Sequence, residues 1–117
     1  IFDFVAGLAA YKHGGEWLAH LIEYLQGNRD FLVRYLKEEL PQIRMHKPEG
    51  TYLAWLDCRG AGIDGSPAEF FVKESKVALQ DGALFGAVGR GFVRLNFGCP
   101  RSVLAEALAR MKASLYR

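Results

Sequence analysis

One charged residue in this sequence sits where chemistry is easiest to place. Arg94 lies in the run Gly91-Phe92-Val93-Arg94-Leu95-Asn96-Phe97-Gly98-Cys99-Pro100-Arg101. The run alternates, with Val93, Leu95 and Phe97 on one side and Phe92, Arg94 and Asn96 on the other. So apolar a strand predicts cover on at least one face and a place inside a sheet. A guanidinium there needs a partner, because an unpaired buried charge is costly. No acidic residue within the run supplies one. Two readings stay open. One is an anionic ligand, whose carboxylate or phosphate matches the planar fork of Arg. The other is a rim position, wet or paired with a distant Asp or Glu.

Other chemistry is harder to argue. His13, His20 and His46 are scattered and do not have metal-ligand spacing. Cys58 and Cys99 form no C-x-x-C and read as two reduced, packed thiols of a cytoplasmic protein. No Ser-His-Asp or Cys-His set stands out. Gly86-Ala87-Val88-Gly89-Arg90-Gly91 looks like a phosphate loop, but it precedes a strand, whereas a dinucleotide loop follows one and opens a helix. Its glycines are expected to serve tight turns and close backbone approach. Trp17 and Trp55 read as core residues.

The elements that must position Arg94 come from 117 residues, one domain's worth, of which half are hydrophobic. The 15 basic and 13 acidic residues nearly cancel, which leaves no footprint for nucleic acid or an acidic membrane surface. No apolar run approaches the roughly 18 residues of a membrane span, and no basic stretch followed by an apolar one marks a signal peptide.

Residues 1–11 read as the middle of an apolar helix, with Phe4, Val5, Leu8 and Tyr11 on one stripe and no capping residue ahead of it. This start suggests a piece of a longer protein. Gly14-Gly15 breaks the helix. A long helix from about Glu16 to Leu40 follows, in which Gly27-Asn28 reads as a tolerated weak point. Short strands are predicted at 43–46, 51–57 and 77–79. Between the last two, Ser66-Pro67-Ala68-Glu69 signals a helix start, with a helix to about Lys76 burying Phe70 and Phe71. The Arg94 strand comes next, and Leu104, Leu108, Met111 and Leu115 mark a final amphipathic helix. The expected fold is α/β (α+β), with helices on one face of a small mixed or antiparallel sheet.

Two long runs carry a family resemblance: Pro48-Glu49-Gly50-Thr51-Tyr52-Leu53-Ala54-Trp55-Leu56-Asp57-Cys58-Arg59 and Gly91 to Arg101. They resemble the C-terminal part of fold-type I pyridoxal-phosphate enzymes of aminotransferase class I/II, nearest to the MalY/PatB-type cystathionine β-lyase (C–S lyase) branch. Ala10-Tyr11 through Trp17-Leu18 and Asn28-Arg29-Asp30 fit the same pattern. The resemblance implies a single small C-terminal domain over 1–117. Within it, 1–13 would be a helix from the large-domain interface and 15–40 a long bridging helix. It implies that Arg94 binds the α-carboxylate of an amino-acid substrate, and that Gly82 to Gly89 with Phe85 shapes the pocket. The cofactor's lysine, ring-stacking aromatic and phosphate loop would lie in a large domain that this sequence lacks. The chain alone would then be inactive, the intact protein a dimer, and the isolated chain prone to self-association through its bare first helix. The competing expectation is a non-catalytic module that binds a carboxylate or a protein.

Overall fold

The computed structural model describes residues 1–116. Two helices open the chain, α1 (Phe2–His13) and α2 (Gly15–Glu39). Both α1 and the first half of α2 leave large apolar side chains exposed: Phe4 at 86%, Trp17 at 68% and Tyr24 at 46%. The apolar stripe expected along α2 is present, but burial begins only past its midpoint. Asn28, Leu32 and Leu36 recur at every fourth position and turn toward the core, and Leu40 follows them in phase just beyond the helix. The helix runs unbroken through Gly27-Asn28.

The sheet has four strands, β1 (Arg44–Met45), β2 (Leu53–Asp57), β3 (Gln80–Asp81) and β4 (Phe92–Asn96). Their order is β1-β2-β4-β3 and every pairing is antiparallel. The strand expected at 77–79 forms instead at Gln80–Asp81. The helix before it, α3 (Pro67–Phe70), relaxes into a wider π-type turn over Phe71–Ser75 and ends at Lys76 with φ +57°. The Val77 amide then donates back to the Phe71 carbonyl, and Val77 is buried in the core before pairing starts. Ser66 caps α3 as expected, and its hydroxyl also donates to Asp81 Oδ2. The last helix, α4, spans Arg101–Leu115.

Alternation decides the layers. Ala54 and Leu56 on β2 and Val93 and Leu95 on β4 are buried beneath Leu32, Leu36, Phe71, Leu104, Leu108 and Met111 of the helices. Helices therefore cover one face. The other face, carrying Trp55, Phe92 and Arg94, stays open.

Candidate functional site

The open face is built around Arg94. Its strand is central, and its two cross-strand neighbours are Trp55 on β2 and Gln80 on β3. Arg94 is half-buried. Its Nη2 donates to Gln80 Oε1, and its guanidinium carbon lies 4.8 Å from the centre of the Phe85 ring. Among the described residues no carboxylate pairs with it. The charge is thus held by an amide and an aromatic face rather than by an acid among the described residues.

Rings continue the arrangement. Phe85 meets Trp55 edge-on at 5.4 Å, and Trp55 stacks on Phe92 at 5.7 Å. A second guanidinium, Arg59, caps the far end 4.7 Å from the Phe92 ring centre. The two cations differ electrostatically. Arg59 grips Asp57 with two bonds of 2.8 and 2.7 Å, which hold that carboxyl below its usual range. Arg59 is therefore ion-paired with its neighbour, while no carboxylate among the described residues faces Arg94.

Phe85 reaches this face on a loop of two short 3-10 turns, Gly82–Phe85 and Ala87–Gly89. Asp81 starts the first turn by accepting from the Ala83 amide, which with the Ser66 hydroxyl keeps its own carboxyl low. The loop closes where Gly82 and Gly89 touch. A Cβ on Gly89 would stand 2.0 Å from the Gly82 carbonyl oxygen. The close-approach role expected of these glycines is thus met at a named contact, and Phe85 lies beside Arg94.

Trp55 and Gln80 are the residues that sequence reasoning missed. Trp55 was expected in the core, yet it is 38% exposed and directly opposite Arg94. Its parity on the strand, odd against buried Ala54 and Leu56, was the available signal. Trp17, also expected in the core, is exposed on α2. Gln80 had no signal, because the predicted strand ended one residue before it.

The remaining expected features fall elsewhere. Cys58 is buried and Cys99 half-buried, both as free thiols. No metal-binding cluster occurs among the described residues, and no helix among them is long and apolar enough to cross a membrane. Clefts of about 420 and 460 Å³ lie between α4 and the 76–79 segment and between α2 and Gly98-Pro100. Neither is lined by Arg94.

The family model for aminotransferase class I and II matches residues 4–111. Cystathionine β-lyase PatB of Bacillus subtilis is 42% identical over 108 residues, which are 92% of this chain and 28% of that protein. The cystathionine β-lyase of Corynebacterium glutamicum is 39% identical over 98% of this chain and 30% of its own length. Among solved structures, the pyridoxal-phosphate-bound C–S lyase of Staphylococcus hominis superposes with a TM-score of 0.88 at 36% identity, covering 93% of this chain and 30% of that one. The chain spans under a third of the length of the curated relatives it matches.

Proposed function

Because the chain belongs to the aminotransferase class I and II family, we propose that it is the substrate-anchoring C-terminal domain of a pyridoxal-phosphate enzyme acting on amino acids. In this reading Arg94 holds the substrate α-carboxylate. The carrying observation is a half-buried guanidinium on an open sheet face with no carboxylate partner among the described residues. Gln80 uses one of its five donors. A complete two-nitrogen edge remains for a carboxylate.

The rest of the chemistry does not fit this chain. The lysines with defined ammonium contacts, Lys47, Lys73, Lys76 and Lys112, engage Asp30, Glu74, the Lys73 carbonyl and Glu39. A bound pyridoxal phosphate supplies an electron sink for carbanions, and its lysine would come from outside these 117 residues. What this chain contributes is binding and orientation. Arg94 fixes one end of the amino acid, and Trp55 and Phe85 shield that end from water. Fixing the carboxylate limits rotation about the Cα bonds, which is the positioning that bond cleavage at Cα or Cβ needs.

The relatives at 39–42% identity favour the lyase branch, in which the Cβ–S bond of a cystathionine-like amino acid is broken by elimination. The two free thiols support a reducing, cytoplasmic setting. The bare apolar faces of α1 and early α2 support burial against the rest of the enzyme or a second copy.

The test joins this chain to the cofactor-binding remainder of the Bacillus subtilis relative and measures turnover of cystathionine. Arg94→Ala should lower kcat/KM about tenfold to 100-fold, the worth of a charged hydrogen bond of ~1.5–3 kcal/mol, with Arg94→Lys in between. Unchanged kinetics in Arg94→Ala would remove the anchor role. The 117-residue chain alone, incubated with pyridoxal phosphate and then freed of unbound cofactor, should retain no stable Schiff-base absorbance and show no turnover.

A further inference from the structure

We infer that Gln80 and Phe85 are positioning residues that hold the Arg94 guanidinium in a carboxylate-ready pose while leaving its charge unspent; this rests on the anchor role of Arg94. A lone Arg on an open sheet face samples many rotamers, and freezing it on ligand binding costs affinity. Two contacts remove that freedom beforehand. Gln80, its cross-strand neighbour, accepts from Nη2, which fixes the rotation of the fork in its plane. Phe85 lies 4.8 Å from the guanidinium carbon and covers one face of the plane.

The chemistry of the acceptor is the telling part. A Glu at position 80 would sit on the same register and form a full ion pair. Its negative charge would compete with any incoming carboxylate. The neutral amide steadies the fork without neutralising it. The contrast lies on the same face, where Arg59 is paired with the Asp57 carboxylate. One guanidinium is thus structural and the other available.

Phe85 is itself held. It meets Trp55 edge-on at 5.4 Å and 82°, and Trp55 stands on a strand paired with that of Arg94. The loop carrying Phe85 is pinned where Gly82 and Gly89 touch. The pose of Arg94 is thereby tied to two rigid strands and one locked loop.

The test takes the same joined enzyme, ¹⁵N-labelled: this chain fused to the cofactor-binding remainder of the Bacillus subtilis relative and loaded with pyridoxal phosphate. It is titrated with sodium propionate, reading the Arg94 Nε–H resonance and the Trp55 fluorescence, with propionamide as the uncharged control. The unliganded Arg94 resonance should carry the ring-current shift of Phe85, lost in Phe85→Leu and kept in Phe85→Tyr. Propionate affinity should fall about three- to tenfold in Gln80→Leu and about two- to fivefold in Phe85→Leu. It should stay near wild type in Phe85→Tyr. Gln80→Glu, which keeps the shape and adds a charge, should weaken propionate more than Gln80→Leu does. Positions 80 and 85 are exposed, so core resonances should not move. If Gln80→Glu and Gln80→Leu bind like wild type while Arg94→Ala does not bind, the positioning role is overturned and the anchor stands. If Arg94→Ala binds like wild type, or the wild type shows no propionate response, the anchor falls and this inference with it.

Discussion

Asn28 and Arg101, 73 positions apart in the chain, meet in a hydrogen bond of 2.6 Å from Arg101 Nε to Asn28 Oδ1. The amide nitrogen of Asn28 donates to the carbonyls of Phe97 and Cys99 at 2.9 and 2.8 Å. One fully buried side chain therefore ties the middle of α2 to the turn that links β4 and α4. Gly27 makes room, since a Cβ there would stand 2.8 Å from Arg101 Nη2. What reads in the sequence as a weak point in a helix is the place where the helix is fastened.

Replacing Asn28 with Ala should therefore destabilise the domain strongly. Two carbonyls and an Arg Nε–H lose their partner. The contact to Phe97 is buried and would cost ~1–3 kcal/mol, while the part-buried contacts to Cys99 and Arg101 cost less because water can replace them. A total loss of about 2–4 kcal/mol is expected in urea unfolding followed by circular dichroism. Asn28→Asp keeps the acceptor for Arg101 but sets a buried carboxylate oxygen against the Phe97 and Cys99 carbonyls, so it should destabilise at least as much as Ala. A loss under about 0.5 kcal/mol in Asn28→Ala would show that the contact carries no weight.

Gly89→Ala probes the loop that delivers Phe85. The new methyl group would overlap the Gly82 carbonyl, and backbone cannot step aside as a flexible side chain can. The expected cost is about 1–3 kcal/mol, with faster proteolysis inside 82–91 and loss of the Phe85 ring-current effect on Arg94. A variant with wild-type stability and an unmoved Arg94 resonance would refute the lock.

The two thiols should differ. Burial pushes the Cys58 thiol from its ordinary 9.0 up to about 12, with the nearby Asp57 charge adding to the effect. Cys58 should resist Ellman's reagent at pH 8 in the native protein while half-buried Cys99 reacts, and both should react in denaturant. The same shift has a signed consequence for stability. The folded state keeps the proton longer than the unfolded one, so the contribution of Cys58 is intact below pH 9 and is lost as pH rises toward about 12. Cys58→Ala should flatten that alkaline decline. Equal labelling of both native thiols at pH 8 would contradict the burial argument.

The exposed face of α1 should drive association of the isolated chain. Phe4, Val5 and Leu8 are 86, 61 and 56% exposed on a helix that buries no residue. Sedimentation should show a mass that rises with concentration, and Phe4→Ser with Leu8→Ser should return it toward a monomer. A wild-type chain that stays monomeric at every concentration would set this aside.

The sequence alone determined what depends on local periodicity and capping. The α2 and α4 stripes, the Ser66-Pro67 helix start and the two-residue alternation around Arg94 each rest on spacing within a few positions, so they are legible in one dimension. The fold class and the family resemblance were legible for the same reason, as runs of ordered residue types. Only tertiary structure decided who stands beside whom. That Trp55 faces Arg94 follows from strand register. That Gln80 rather than an acid receives the guanidinium follows from where the chain leaves a left-handed Lys76 and begins to pair. That Asn28 is a clasp follows from a turn 69 to 73 residues away. Register and long-range hydrogen bonds are fixed by the burial of the whole sheet face at once, and no window of neighbouring residues contains that information.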